Sequence, residues 1–136
     1  MCLPLDMTPL VNATGRLREG LARHQGEPAD DQLRDGLIRR FEFTYELCHR
    51  VLRRFIRQNA ASPEEVDRMA FQDLIRTANQ QGLLLEDWPA WHRYRDLRGR
   101  TSHIYHAEIA QQVAAAIPAF LVEAEYLRDQ LRSRLA

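Results

Sequence analysis

Two side chains of complementary chemistry, Arg98 and His103, lie five residues apart in the C-terminal half of the chain. A histidine can move a proton at neutral pH, and a guanidinium stabilises the charge that develops on a reacting phosphate. The pair therefore indicates phosphodiester chemistry, although the spacing alone often arises by chance. On an unbroken helix the two side chains would point about 140° apart. A shared site requires a second chain, or a helix break between them, for which Gly99 is the candidate.

The segment around this pair, residues 92–106, is basic and rich in aromatic side chains. It holds four arginines against one acid, Asp96, so its local charge is +3. Arginines beside aromatic residues at a helix end are suited to a phosphate or a nucleotide, whereas a merely solvated charged surface is the plainer alternative. The residues concerned are Trp91, just before the segment, and within it His92, Arg93, Tyr94, Arg95, Arg98, Arg100, Ser102, His103, Tyr105 and His106. Among them, we expect a nucleotide or RNA to contact Arg93, Arg95, Arg100 and Ser102.

Some residues of this segment have plainer interpretations. His103 could be a structural histidine at a helix junction, and Tyr105 could pack in an interface, where tyrosine is common. His103 and His106, with Glu108 nearby, could be imagined as a metal site, but histidines three residues apart across a loop are weak evidence for one. We therefore expect neither a metal nor a cofactor.

Two acids, Glu42 and Glu46, lie one helical turn apart upstream of this segment. They could be carboxylates that support the site. They could instead be ion-pair partners of Arg39 and Arg50, and the helical spacing slightly favours this second interpretation.

A second arginine cluster lies in residues 48–63, which contain four arginines and no acid, a local charge of +4. The compensating acids lie mainly at predicted helix starts. Acids in a first turn and bases in a last turn complement the helix dipole, so a structural role is favoured for this cluster. Its members are Arg50, Arg53, Arg54 and Arg57.

Composition excludes several classes of protein. The 136 residues carry 19 acidic and 19 basic side chains, all of the basic ones arginine, so the formal net charge is zero. Zero net charge provides no general attraction to nucleic acid or membrane, and any such partner must meet a local patch. The length predicts a single domain over residues 1–136, of which residues 1–7 form a loose tail.

The sequence also lacks the signals of export and of membrane insertion. No apolar run approaches the roughly 20 residues of a transmembrane helix, and the first nine residues do not resemble a signal peptide. Cys2 and Cys48 are too few for a disulfide framework or a zinc ligand set, and Cys48 has the spacing of a small core residue. We expect a cytoplasmic protein.

Capping and proline signals predict helices through almost the whole chain. Thr8 followed by proline opens a first helix that runs to about His24. A second helix starts near Asp30 or Asp31, and its apolar residues recur every three or four positions up to Ile56. No segment shows the strict alternation of a half-buried strand.

Two further helices are predicted up to Gly99, and the second of them carries Arg98. Residues 62–65, Ser-Pro-Glu-Glu, predict a capping box, and Gly82 predicts the end of the third helix. Residues 87–89, Asp-Trp-Pro, open a fourth helix that should end near Gly99.

A last helix should run from His106 or Ala107 to Arg134, with a bend at Pro118. The chain then has five helices, two of them long. This pattern predicts an all-α fold, an antiparallel four- or five-helix up-and-down bundle.

The match to a known family begins at residues 40–48, Arg-Phe-Glu-Phe-Thr-Tyr-Glu-Leu-Cys. They resemble the Arg-Phe-Glu-Phe-Thr-Phe-Glu-Leu signature of the small all-helical nucleotidyltransferase substrate-binding proteins. These belong to the HEPN superfamily and include the HepT-type toxins. Later elements follow in the family's order, and Arg98-x4-His103-x-Tyr105 precedes the last long helix. The resemblance covers about residues 8–134.

The resemblance implies a bundle that dimerises and so brings the Arg-x4-His motifs of two protomers into one cleft. It also implies a partner, a minimal nucleotidyltransferase. Active members resemble metal-independent ribonucleases, in which Arg98 would hold the phosphate and His103 would handle protons. Tyr105 would accept AMP groups when the partner silences the toxin, because bulky anionic groups would block an RNA cleft.

Two positions depart from the family pattern. The family usually has asparagine immediately after the motif arginine, where this chain has Gly99, and this puts the strength of a ribonuclease in doubt. An aspartate or asparagine commonly caps the last helix, where this chain has His106. Arg98, His103 and Tyr105 are unaffected by these changes.

Three functions are compatible with the sequence. The first is the RNA-cleaving toxin of a toxin–antitoxin pair that includes a nucleotidyltransferase. The second is a non-catalytic subunit that presents a substrate or nucleotide to the nucleotidyltransferase, which Gly99 modestly favours. The third is an adaptor bundle whose basic cleft holds no ligand.

Overall fold

The computed structural model describes residues 5–135 as six α-helices and one 3₁₀ turn, with no strand in this range. Met1–Pro4, which include Cys2 and most of the expected tail, and Ala136 lie outside the described residues. Across residues 5–135, no helix is long and apolar enough to span a membrane. The helices are α1 (Thr8–Gly26), α2 (Asp31–Gln58), α3 (Pro63–Arg68), α4 (Phe71–Gln80), α5 (Trp88–Arg100) and α6 (Ala107–Leu135), and the 3₁₀ turn (Thr101–His103) joins α5 to α6.

The predicted all-α bundle is confirmed, and the long helix α2 lies against each of the other α-helices. The second helix begins at Asp31, as predicted, and the Asp30 carboxylate caps it by accepting hydrogen bonds from the backbone N–H groups of Gln32 and Leu33. Its periodic apolar face is buried against α1 and α6. The core of the bundle continues into an aromatic cluster of Phe41, Tyr45, Phe71, Trp91, Tyr94 and Phe120.

The start of α1 differs in detail from the prediction. Thr8 lies inside the first turn, and the Asp6 carboxylate accepts the hydrogen bond from its backbone N–H at 3.0 Å. Leu5, in the segment expected to be a loose tail, is buried in the core. The N-cap position is Met7 rather than Thr8, and Asp6 supplies the side-chain acceptor at the start of the helix.

The prediction of one continuous third helix was wrong, because the helix stops at Arg68 and a new one starts at Phe71. Arg53 of α2 explains the break. Its Nη1 donates to the carbonyl oxygens of Val66 at 2.7 Å and Met69 at 3.1 Å, which satisfies backbone acceptors that a continuing helix would have used.

The prediction for the start of α3 is wrong, whereas the prediction for the end of α4 is confirmed. Ser62 makes no side-chain capping hydrogen bond, so the expected capping box is absent. Gly82 does end α4, with a φ of +77°. The N–H of Gly82 donates to the carbonyl of Asn79, and that of Leu83 donates to Ala78, which is a Schellman motif.

The predicted end of α5 near Gly99 is confirmed to within one residue, since the helix runs to Arg100, but Gly99 itself does not provide the break. The change to 3₁₀ geometry comes at Thr101, whose backbone N–H and hydroxyl both donate to the carbonyl of Arg98. The α-helix therefore still ends between Arg98 and His103, as a shared site requires. The last helix begins at Ala107 as expected and includes Pro118.

A buried carboxylate, Glu123 of α6, holds the start of α5 in place. It is 1% exposed and accepts hydrogen bonds from the backbone N–H groups of Leu85 and Glu86 and from Nε1 of Trp91. Burial raises the pKa of Glu123, and these three hydrogen bonds oppose that rise. Glu123 thus connects the loop before α5 to the core of the bundle.

Glu123→Ala should destabilise the fold by about 3 kcal/mol or more, because it leaves three donors without their acceptor beside a new cavity. Urea unfolding followed by circular dichroism would measure this loss. Glu123→Gln keeps one acceptor oxygen and should cost less than the alanine variant. Equal losses in the two variants would show that the hydrogen bonds contribute little.

Candidate functional site

The site is built at the C-terminal end of α5. The Asp87 carboxylate caps the start of this helix by accepting from the N–H of Trp88 at 2.7 Å. The buried face of α5 consists of Trp91, Tyr94 and Leu97. Since Arg98 follows Leu97 directly, its side chain emerges at the edge of the core and is 33% exposed.

The guanidinium of Arg98 is held by two neighbours. Its Nε donates to Oε1 of Glu46 in α2 at 3.0 Å, and its Nη1 donates to the Thr101 hydroxyl at 3.2 Å. Its Nη2 makes no hydrogen bond to the residues described here. A guanidinium positioned on one edge and open on another can hold a phosphate oxygen.

His103 and Tyr105 lie in the exposed turn that follows α5. Nδ1 of His103 is 3.0 Å from the Tyr105 hydroxyl oxygen, and the two rings are 5.8 Å apart in an edge-to-face arrangement. The Tyr105 side chain is 73% exposed and also contacts the ring of His106, with 4.5 Å between the centroids. This pair combines a proton acceptor with an accessible hydroxyl group.

Tyr105 differs from the other tyrosines, all of which lie within the described residues. Tyr45 is 4% exposed, and burial raises its pKa to about 12. Burial likewise raises the pKa of Tyr94, and the hydrogen bond that its hydroxyl donates to Glu86 raises it further. Tyr126 is half-buried and donates to the carbonyl of Gly82. Tyr105 is therefore the tyrosine hydroxyl most open to a partner.

The remaining predicted binding residues lie on the outer face of α5 and in the turn. Arg95 stacks over the ring of Phe71 at 5.6 Å, and Arg100 pairs with Asp96 at 3.3 Å. A shallow furrow of about 400 Å³ runs between these side chains along α5. Its lining residues are His92, Arg95, Asp96, Gly99 and Arg100, and the predicted residues Arg93 and Ser102 are exposed nearby in sequence.

Within residues 5–135, Glu42 and Glu46 of α2 do not form the ion pairs with Arg39 and Arg50 that helical spacing favoured. Glu46 binds Arg98, so the expectation that it pairs with Arg50 was wrong. Arg39 stacks over the ring of Phe43 at 5.5 Å, and Glu42 forms no ion pair within residues 5–135. Of the two, only Glu46 contacts the arginine–histidine motif.

The structure adds Thr101 and His49 to the residues found from the sequence. Thr101 joins the motif through Arg98, and a threonine at a helix end is a known signal for such hydrogen bonds. His49 is half-buried, and its ring is 4.4 Å from that of Phe71. Desolvation lowers the pKa of His49, and nearby Arg53 lowers it further. Nothing in the spacing of His49 predicted this position.

A metal centre has no support among residues 5–135, where no group of three or more His, Cys, Asp or Glu side chains could hold an ion. Cys48, the cysteine in this range, is fully buried in the core as expected.

The fold and the site define a small helical protein with an Arg–His–Tyr motif at a helix end. The family model described as nucleotidyltransferase substrate binding protein like matches residues 5–133. The chain therefore belongs to this family, which confirms the resemblance found at residues 40–48 and at the motif.

Two matches from Haemophilus influenzae illustrate the relationship. A protein named probable ribonuclease HepT is 40% identical over 104 residues, which cover 76% of this chain and 70% of that protein. A solved structure, described as revealing the fold of a substrate binding domain of a nucleotidyltransferase, is 32% identical. It superposes with a TM-score of 0.88 over 93% of this chain and 99% of the other.

Proposed function

We propose that this protein is the RNA-cleaving toxin of a pair with a minimal nucleotidyltransferase, and that AMP transfer to Tyr105 silences it. One observation carries the proposal: the hydrogen bond between His103 and the exposed Tyr105 hydroxyl, in the turn that follows Arg98. The relative named probable ribonuclease HepT supports the cleavage reaction. The family description supports the nucleotidyltransferase partner.

The proposed cleavage uses the nucleophile that RNA itself carries. The ribose 2′-oxygen attacks the adjacent phosphorus, the bond from phosphorus to the 5′-oxygen breaks, and a cyclic phosphate remains. His103 takes the 2′-hydroxyl proton, and the leaving 5′-oxygen is protonated by solvent or by a second histidine. The open edge of Arg98 stabilises the negative charge on the phosphate.

The contact between Tyr105 and His103 supports the proposed silencing by AMP transfer. The tyrosine oxygen attacks the α-phosphorus of a nucleoside triphosphate held by the partner, pyrophosphate leaves, and the phenolic proton passes to Nδ1 of His103. The tyrosine then carries a nucleotide whose phosphate lies beside this histidine. A bulky anionic group there competes with the RNA phosphate for the same cations.

A homodimer would complete the site. In the single chain, no hydrogen bond joins Arg98 to His103 within residues 5–135. Pairing two protomers at this face would bring two arginine-rich segments together, and it would supply a second His103 as the acid for the leaving oxygen. Cross-linking or mass photometry of the purified protein would measure the oligomeric state.

A second candidate is a non-catalytic subunit that presents a substrate or nucleotide to the nucleotidyltransferase. The similar solved structure favours it, because that protein is described as a substrate binding domain of a nucleotidyltransferase. Gly99 at the position of the family asparagine also favours it. The engagement of Arg98 with Glu46 leaves only part of the guanidinium available.

Expression of the protein alone, and together with its nucleotidyltransferase, separates the two candidates. The proposed toxin should arrest growth when expressed alone, and co-expression of the partner should restore growth. Purified protein should also cleave RNA. Absence of both arrest and cleavage for the unmodified protein would leave the binding subunit as the better account.

Glu46→Ala tests how Arg98 is positioned. Loss of the Glu46 carboxylate frees one edge of the guanidinium, and we expect RNA cleavage to fall about tenfold or more. Initial rates on a fluorogenic RNA would measure the change. Glu42→Ala is the matched control, since Glu42 lies one turn earlier on α2 and forms no ion pair with the described residues. An equal fall in both variants would remove the positioning role.

A further inference from the structure

A basic groove runs between α2 and α3, next to the arginine–histidine motif. It encloses about 400 Å³, and all of its lining residues except Asp67 lie along one stripe of α2. With 1.5 Å of rise per residue, the stripe is about 16 Å long. It begins at Glu46, which also holds Arg98, so the groove and the motif are continuous. Its lining residues are Glu46, His49, Arg50, Arg53, Arg54, Arg57 and Asp67.

The two carboxylates and two of the arginines in this α2–α3 groove already have partners. Glu46 binds Arg98, and Asp67 accepts from Nε of Arg57 at 2.9 Å. Arg53 is used to hold the backbone where α3 ends. These contacts give Arg53 and Arg57 a structural role in the fold.

No contact within residues 5–135 gives Arg50 or Arg54 a structural role. Both are exposed, and neither forms a hydrogen bond or ion pair with residues 5–135. Asp6 interacts with Arg54 electrostatically, but its carboxylate is directed to the N–H of Thr8. The helix dipole does not explain them either, because its effect is confined to the last turn, where α2 has Arg57.

One planar ring, that of His49, lines the groove at the end nearest the motif, and Phe71 is buried beside it. The half-buried ring of His49 packs on Phe71, and the guanidinium of Arg95 stacks over the same ring. The accessible planar groups of His49 and Arg95 can stack against unpaired bases, while arginines hold the backbone phosphates of the same strand.

We propose that the α2–α3 groove binds a stretch of single-stranded RNA backbone next to the cleaved phosphate, with Arg50 and Arg54 as its phosphate contacts. This inference rests on the proposed RNA-cleaving function. It extends the recognition surface from α5 onto α2 and makes affinity depend on the length of the RNA. An acidic protein surface is the competing ligand for such arginines, but the continuity with the motif and the ring of His49 in the groove favour a nucleic acid strand.

The test compares Arg50→Gln/Arg54→Gln with the parent chain, both carrying His103→Ala to prevent cleavage. Fluorescence anisotropy would measure binding of a labelled RNA of roughly ten nucleotides and of a labelled dinucleotide. The double variant should bind the longer RNA about tenfold more weakly, and the slope of log affinity against log salt should fall by about 1.4. Binding of the dinucleotide should change little, because it reaches only the motif.

Arg16→Gln/Arg23→Gln is the matched control, since these exposed arginines of α1 form no side-chain ion pair with the described residues and lie outside the groove. It should leave both affinities and the salt slope unchanged, and thermal unfolding should show that both double variants fold. The proposal is overturned if the groove and control variants bind the longer RNA equally. It is also overturned if the groove variant binds the longer RNA as its parent does and only its binding of the nucleotidyltransferase weakens. Cleavage by the wild-type chain despite such a result would keep the proposed function and remove the groove alone.

Discussion

Replacing His103 with alanine should lower the rate of RNA cleavage by about a hundredfold to ten-thousandfold, the range expected when a general acid or base is lost. Growth arrest on expression without the partner should disappear with it. The physical reason is that His103 is the proposed acceptor of the 2′-hydroxyl proton, and the exposed turn places it where a bound phosphodiester can reach it.

His106→Ala is the matched control for this experiment. His106 is three residues away in the same exposed turn, and its ring contacts Tyr105 without a hydrogen bond to that hydroxyl. The His106→Ala variant tests whether removing either histidine from this turn lowers the rate of RNA cleavage. Cleavage assays on purified protein and growth curves would be measured for both variants. Full activity of His103→Ala would contradict the assigned role and point to the binding subunit.

We expect Arg98 to act together with His103 in RNA cleavage. Because its guanidinium stabilises charge while the histidine moves protons, Arg98→Ala should also abolish most cleavage. The two losses should not add, since residues that act as a unit share one effect. This non-additivity separates a joint site from two independent surface contacts.

The sequence predicts the features of this fold that depend on neighbouring residues. The start of α2 near Asp30, the apolar face of α2 and the stop at Gly82 all follow from local geometry, and each is confirmed. The end of α4 could be predicted because glycine alone adopts the φ of +77° there without strain.

Features that depend on distant residues could not be predicted in this way. The break after Arg68 arises from Arg53 in another helix, and no signal within α3 announces it. Glu46 pairs with Arg98, 52 residues away, rather than with the base one turn along its own helix. Helical spacing identifies neighbours on one helix only, so the supporting carboxylate of the motif emerges from the packing of α2 against α5.

The glycine in the motif illustrates a third kind of difference. The sequence predicts that Gly99 ends α5, yet nothing in its surroundings requires a glycine, since a Cβ there would meet no atom within 4 Å. The helix instead ends at Arg100, because Thr101 takes the Arg98 carbonyl with both its N–H and its hydroxyl. The Cβ of the family asparagine would therefore meet no atom at this exposed position.

Tyr105→Phe should abolish the transfer of AMP to this protein by its nucleotidyltransferase. Phenylalanine keeps the ring in the turn and removes the hydroxyl oxygen that attacks the α-phosphorus. Intact-mass spectrometry of the co-expressed proteins would show one or more added AMP groups on the wild type and none on the variant. Since the variant cannot be modified, it should also remain toxic in the presence of its partner.

Tyr126→Phe provides the control for this loss. Its hydroxyl is half-buried and donates to the carbonyl of Gly82, so it is far less accessible than that of Tyr105. The Tyr126 variant should gain AMP as the wild type does. Retention of AMP on Tyr105→Phe would place the modification on another side chain and remove the proposed means of silencing. Loss of AMP together with full protection by the partner would instead show that binding of the nucleotidyltransferase, without modification, blocks the cleft.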